Sequence, residues 1–298
     1  MEKIMSVFIL KIIATISMVI DHIGYAMSAN SIVLPGHMCF KLRAVGRVAF
    51  PVYAFLLTNG FRKTSDRVRY LSRMLLFAAI SQVPFSLLTG GNFFRKFDFS
   101  AVTPSLTLEF AVSPLLAAAL IVSVCAVWFF FVRRDLTALY PGLVLAMASV
   151  KLEVYSLTLL GSELNVFYTL SFGLIAMCLI ERLRDCRLKD VRALCALLLT
   201  ALVMWVYIER CDYDWHGLAL IAVLYASQSN RYIQAALMAL WGYIMYKDAS
   251  TLMLGCSFIA PLLILLYNGR RGKGFKLGFY LIYPVHILLI SLYYIFVV

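Results

Sequence analysis

The chain has 298 residues, 63% of them hydrophobic and only 14% charged. Soluble domains sit near 45–50% apolar and about 25% charged, so a water-soluble fold is excluded. The net charge of +12 would suggest nucleic acid in a soluble protein, but here Lys and Arg collect in alternate loops between apolar runs, the signature of membrane topology. No nucleic-acid partner is expected. The seven cysteines show no Cys-x-x-Cys spacing and most lie in apolar runs, so neither a metal site nor a disulfide framework is expected.

Eleven apolar segments follow one another: roughly 4–27, 43–61, 70–90, 111–132, 136–150, 165–181, 191–208, 215–227, 232–246, 250–268 and 277–297. Several approach the ~20 residues that cross ~30 Å of hydrocarbon as a helix. They are too long and apolar for transmembrane strands. The expected fold is an all-α polytopic membrane protein with about eleven transmembrane helices, in a range of about 9–11, forming one domain over 1–298. The first run lacks a small-residue cleavage site and reads as a retained span.

Charge orients the segments. With the N-terminus cytoplasmic, the inner stretches 62–69, 133–135, 182–190, 228–231 and 269–276, with Arg73 and Arg192, hold 17 of the 27 Lys and Arg. The outer loops hold six basic and eight acidic residues. The N-terminus is expected on the cytoplasmic side and the C-terminus outside. The longest outer loop, 91–110, carries Phe93, Phe94, Phe97 and Phe99 and is expected to lie along the interface or lid a cavity.

Few ionisable residues fall within spans, and those that do mark candidate chemistry. Asp21 and His22 lie in the outer third of the first segment. Adjacent helical residues diverge by about 100°, so they cannot form a dyad with each other. Arg43 and Arg47, four apart on one face of the second segment, sit at similar depth. Asp212, Asp214 and His216 occupy the turn before the eighth segment, and His286 lies near the middle of the last. One reading makes His22 a general base oriented by Asp212 or Asp214, with the arginines stabilising developing charge or organising Asp21. That arrangement serves acyl transfer. A proton-coupled transporter or flippase would use similar residues, and physics leaves both readings open. An assembly factor without chemistry is a third. Each residue also has a structural role available: Asp21 as the arginines' counter-ion, the arginines as snorkelling side chains, and His286 as a packed neutral ring.

A family resemblance now enters. Leu10-Lys11-Ile12-Ile13-Ala14 through Ile20-Asp21-His22-Ile23-Gly24 resembles the opening of TraX-type proteins. So do Gly46-Arg47-Val48-Ala49-Phe50-Pro51-Val52-Tyr53, Ser81-Gln82-Val83-Pro84-Phe85, Asn165-Val166-Phe167-Tyr168-Thr169-Leu170, Asp212-Tyr213-Asp214-Trp215-His216-Gly217, Tyr267-Asn268-Gly269-Arg270-Arg271-Gly272 and Tyr283-Pro284-Val285-His286. The motifs keep the family's order over nearly the whole chain. The resemblance implies an inner-membrane acetyltransferase, similar to a wider group of transmembrane acyltransferases. Acetyl would pass from cytoplasmic acetyl-CoA to an amine or hydroxyl at the outer half: a pilin-like protein N-terminus, a surface glycan or a small molecule. It implies His22 as the catalytic histidine and Asn165 as a supporting residue. Two departures stand out. Gln82 and Ser86 replace acids of the family pattern, and 91–163 is expected to be an insertion with two extra spans. The basic inner loops around Arg62, Lys63, Asn268, Arg270 and Arg271 are the expected seat of the CoA phosphates.

Overall fold

The computed structural model describes residues 4–29, 37–89, 106–110, 150–154, 157–160, 163–185, 187–208 and 211–296. The helices are α1 (Val7–Ala29), α2 (Met38–Val45), α3 (Ala49–Lys63), α4 (Arg67–Thr89), α5 (Val166–Asp185), α6 (Lys189–Ile208), α7 (Asp214–Ala226), α8 (Arg231–Tyr246), α9 (Thr251–Ser257), α10 (Ile259–Leu265) and α11 (Lys276–Phe296). A 3-10 turn at Gly46–Val48 joins α2 to α3, making one continuous run, Met38–Lys63.

Among the described residues five stretches are long and apolar enough to cross a membrane: Val7–Ser28, Met38–Lys63, Arg67–Thr89, Val166–Asp185 and Leu277–Tyr294. The sequence segments 215–227, 232–246 and 250–268 form shorter helices of 13, 16 and twice 7 residues. At about 1.5 Å per residue, α7 is ~20 Å and α8 ~24 Å long, short of a ~30 Å hydrocarbon core. The segment 111–132 and nearly all of 136–150 lie outside the described residues, as do Phe93, Phe94, Phe97 and Phe99.

The chain is mostly helical, with one small addition that hydrophobicity alone did not show. Strands β1 (Leu106–Phe110), β2 (Val150–Val154) and β3 (Leu157–Leu160) form an antiparallel sheet in the order β1-β2-β3. The β1–β2 register runs from Leu106 opposite Val154 to Phe110 opposite Val150. Both flanks of the 111–149 stretch therefore meet.

Backbone contacts sort the loops into two ends. Met5 N donates to Leu266 O, Asn268 N to Met5 O, Val7 N to Arg270 O and Phe8 N to Arg271 O. Lys63 Nζ reaches Gly269 O, and Arg231 donates to the Tyr267 carbonyl. Arg67 forms a two-pronged ion pair with Glu181, its Nη2 donating to Oε1 at 2.9 Å. Four basic stretches, 62–69, 182–190, 228–231 and 269–276, thus share one end with the start of α1. At the other end Asp212 N donates to Leu164 O at 2.8 Å, bringing Glu163–Asn165 against Cys211–Asp214. This is the separation of loops that the alternating charge predicts.

The α2–α3 run is the core of the bundle. Of its span 78% is buried, against 33% for α1 and 22% for α11, which present their outer faces to the surroundings. Phe50, Phe55 and Phe61 on α3 pack with Phe172, Leu220, Ile221, Leu224 and Tyr267, all nearly solvent-free. Gly24 on α1 lets α2 approach: a Cβ there would lie 2.7 Å from Leu42 Cβ and 2.9 Å from Cys39 O. Small residues are the usual device for close helix contact in lipid, where hydrophobicity does not drive helices together.

Candidate functional site: an ionised cavity beside a histidine pair

Asp21 and His22 diverge, as helical geometry requires. The Asp21 carboxylate accepts from Arg47 Nη2 at 2.7 Å and from Arg43 Nη1 at 3.0 Å. Arg47 is further committed through Nε to Arg43 O at 3.0 Å and through Nη1 to Tyr246 Oη at 3.4 Å. Arg43 and Arg47 also lie over the rings of Tyr25 and Tyr246. Gly46 makes this approach possible, because a Cβ there would stand 2.3–2.4 Å from the Asp21 side chain. The 3-10 turn begins at this glycine, so a local tightening of the helix and the buried ion pair occur together.

His22 turns to the last helix. Its Nδ1 lies 2.6 Å from His286 Nε2, and His286 Nδ1 lies 2.6 Å from Ile282 O. A carbonyl oxygen only accepts, so in neutral His286 the proton sits on Nδ1 and Nε2 carries a lone pair. His22 Nδ1–H then donates, which leaves His22 Nε2 as the proton-accepting nitrogen. His22 faces the cavity described below. The sequence reading placed Asp212 or Asp214 on this histidine. The structure gives the position to His286, which the sequence identified only as a neighbour at similar depth.

Asp212 lies beside the ion pair instead. Its backbone is pinned at both sides, with N donating to Leu164 O at 2.8 Å and O accepting from Thr169 Oγ1 at 2.5 Å. Its carboxyl lines the cavity. Burial, reinforced by Asp21 and opposed by Arg47 and Arg43, raises it from 3.8 to about 7. The next two residues, Tyr213 and Asp214, both have left-handed backbones at φ 64° and 50°, a strain of about 1–3 kcal/mol each that the surroundings must hold. Tyr213 stacks on Phe50 with ring centroids 4.0 Å apart. Asp214 and His216 do not line the cavity. Asp214 Oδ1 is buried without a hydrogen-bond partner among the described residues, and His216 stacks on Trp215 while its carbonyl accepts from Trp241 Nε1.

Asn165 is fully buried and structural. Its Oδ1 caps α5 by accepting from Phe167 N at 3.1 Å, and its Nδ2 donates to Ala78 O and Gln82 Oε1, both at 2.8 Å. Gln82 Nε2 in turn donates to Glu163 O at 2.9 Å. Gln82 donates and accepts at once, which an ionised carboxylate cannot do.

A cavity of about 850 Å³ joins the two ends. On α1 it is lined by Val7, Lys11, Met18, Asp21, His22 and Tyr25, one helical face. From Val7 to Tyr25 is eighteen residues, or about 27 Å of helix. At the basic end the lining includes Lys11, Lys63, Arg73 and Arg271; at the other it includes Asp21, His22, Arg43, Arg47, Glu163 and Asp212. Of the expected phosphate-binding residues, Lys63 and Arg271 reach the cavity. Arg62, Asn268 and Arg270 do not line it; Asn268 Oδ1 accepts from Arg270 N and shapes the loop. Lys11 and Arg73 join instead. The sequence signal for both was a cation placed on an apolar helix near its basic end. Among the described residues no group of three or more metal-ligating side chains occurs.

The sequence profile described as TraX protein matches residues 6–150 and 146–294. The chain is also similar to a protein of Dichelobacter nodosus named "Probable fimbrial assembly protein FimC, serogroup H1", with 25% identity over 300 residues, covering 96% of this chain and 94% of that one. No solved structure matches. The family profile spans nearly the whole chain, and the quoted motifs place His22, Arg47 and Asp212 around one cavity, with His286 bonded to His22 behind it: the chain belongs to the TraX protein family.

Proposed function

We propose that this protein is an integral membrane acetyltransferase of the bacterial inner membrane, moving acetyl from cytoplasmic acetyl-CoA to an amine or hydroxyl at the opposite half of the bilayer. One observation carries the reading: a single cavity has cations at one mouth and, far along α1, a histidine whose tautomer leaves Nε2 free to take a proton. The basic mouth suits the CoA phosphates, held by Lys63 and Arg271 with Lys11 and Arg73 behind them. The apolar middle, lined by Leu56, Leu57, Phe77, Phe167 and Leu170, suits the pantetheine arm. The volume lies within the range of cofactor sites. The fimbrial-assembly name of the Dichelobacter relative favours a pilin-like protein N-terminus as acceptor.

In this reading the acceptor's nitrogen or oxygen attacks the thioester carbonyl carbon and its proton passes to His22 Nε2. The tetrahedral oxyanion collapses, the C–S bond breaks, and the thiolate leaves as CoA, taking the proton back from His22. His286 fixes the ring. Asp21 holds Arg43 and Arg47 at the edge of the site, where their positive field favours the oxyanion.

The test is incubation of native membranes with labelled acetyl-CoA, with identification of the labelled product, for the wild type and for His22→Ala and His22→Gln. Loss of a general base lowers transfer by about 10²–10⁴-fold. Transfer near the wild-type rate in His22→Ala would sink the assignment. Solute accumulation in proteoliposomes without any acyl donor would instead favour the transport reading.

A further inference from the structure

The Tyr283 side chain lines the cavity, yet the residue is only 2% exposed and its hydroxyl has no hydrogen-bond acceptor among the described residues. Its ring is fixed on three sides. It meets His22 edge-on with centroids 5.8 Å apart, His286 at 5.8 Å and Phe167 at 5.1 Å. A buried polar group without a partner is rare and is destabilising unless something else satisfies it. Here the unmatched donor stands beside the proton-accepting histidine, in the wall of the space assigned to the donor's thioester.

We propose that the Tyr283 hydroxyl is a catalytic hydrogen-bond donor to the carbonyl oxygen of the bound acyl group. The proposal rests on the acyltransferase reading and adds to it a residue that touches the reacting atoms. As the acceptor attacks the carbonyl carbon, the C=O π pair moves to oxygen, and Tyr283 O–H hydrogen-bonds the oxyanion without giving up its proton. The pair returns to re-form C=O, the C–S bond breaks, and CoA thiolate departs. Arg43 and Arg47 supply a field but are tied to Asp21. Tyr283 supplies a short directional donor on the face shared with His22. Its neighbour Pro284 has no N–H, which leaves the Tyr280 carbonyl without its usual helical donor and permits a kink where the ring must turn inward.

The experiment uses Tyr283→Phe in the full-length protein, which keeps the ring contacts and deletes only the hydroxyl. Because that hydroxyl has no acceptor to lose, the variant is expected to melt at or above the wild-type temperature and to bind acetyl-CoA within about twofold of wild type. Transfer of label from acetyl-CoA in native membranes is expected to fall by about 10²–10³-fold, the effect of removing one oxyanion donor. A second readout is the infrared carbonyl stretch of a bound dethia ketone analogue of acetyl-CoA: lowered in the wild type, and returned towards its solution value in Tyr283→Phe. Transfer within threefold of wild type, or an unchanged carbonyl stretch, overturns the role of Tyr283 alone. Wild-type membranes that transfer no label overturn the acyltransferase reading and this role with it. A loss of transfer accompanied by a lower melting temperature overturns the role in favour of a packing one.

Discussion

Gly46→Ala tests how the ionised end of the cavity is built. An alanine Cβ would fall 2.3 Å from Asp21 Cβ and 2.4 Å from both Cγ and Oδ1, whereas ordinary contact begins near 3.4 Å. The carboxylate must retreat by about 1 Å or more. Its bonds to Arg47 at 2.7 Å and Arg43 at 3.0 Å have no slack for that, because α1 is already held to this segment by Ser17 Oγ donating to Val45 O at 2.7 Å. Breaking a buried ion pair costs about 3–5 kcal/mol. For a chain of this size each kcal/mol shifts the midpoint by roughly 2–4 °C, so the melting temperature is expected to fall on the order of 10 °C. The assay is thermal unfolding in detergent, followed by thiol labelling of the buried Cys195 and Cys211. Gly255→Ala is the control: nothing lies within 4 Å of its Cβ, and alanine is the better helix former by about 0.5–1 kcal/mol. If Gly46→Ala melts within about 2 °C of that control, the ion pair is not the constraint inferred here.

Further outcomes follow from the same geometry. His286→Ala removes the acceptor that fixes the His22 tautomer and is expected to lower acetyl transfer by about 10²-fold. His286→Gln, whose Oε1 accepts from His22 Nδ1–H, should recover part of it, and equal activity of His286→Ala and wild type would contradict the relay. Asp212 holds its proton to about pH 7 in the folded protein but only to about 3.8 when unfolded. Stability therefore falls as pH rises from about 4 to about 7 and is level above, with a ceiling of ~4 kcal/mol. Asp212→Asn should flatten this slope in melting temperature against pH; an unchanged slope would assign it to other groups. Arg271→Glu and Lys63→Glu are expected to raise the KM for acetyl-CoA by at least ~10-fold, about 1.4 kcal/mol, with little change in kcat. An unchanged KM would move the phosphates elsewhere.

The membrane class and the sorting of loops were readable because each depends on composition and charge along the chain. The split between Asp21 and His22 was readable too, since helical geometry alone forbids their pairing. What escaped was set by contacts between distant segments. Asp212 and His286 both lay at a suitable depth, and only the packing of α11 against α1 gives His22 Nδ1 to the second. Asn165 sits in a recognisable motif, yet its work is to cap α5 and tie it to Gln82, which no local pattern distinguishes from catalysis. Among the cations, Lys63 and Arg271 face the cavity while Arg62 and Arg270 do not, a difference fixed by the direction of single side chains. Short helices such as α7 blurred the count of spans, because an apolar run of 13 residues does not by itself say whether it crosses.

The separation of the site's contacts along the chain sets an order of events during synthesis. Asp21 meets its arginines 22 and 26 residues later, so the first hairpin carries its own counter-ions as it enters the bilayer. His22 waits 264 residues for His286. At about 5–20 residues per second that delay is roughly 13–53 s. The ion pair is thus an early clasp and the histidine pair a late one. A nascent chain interrupted before its last helix would hold a neutralised first hairpin and no oriented base.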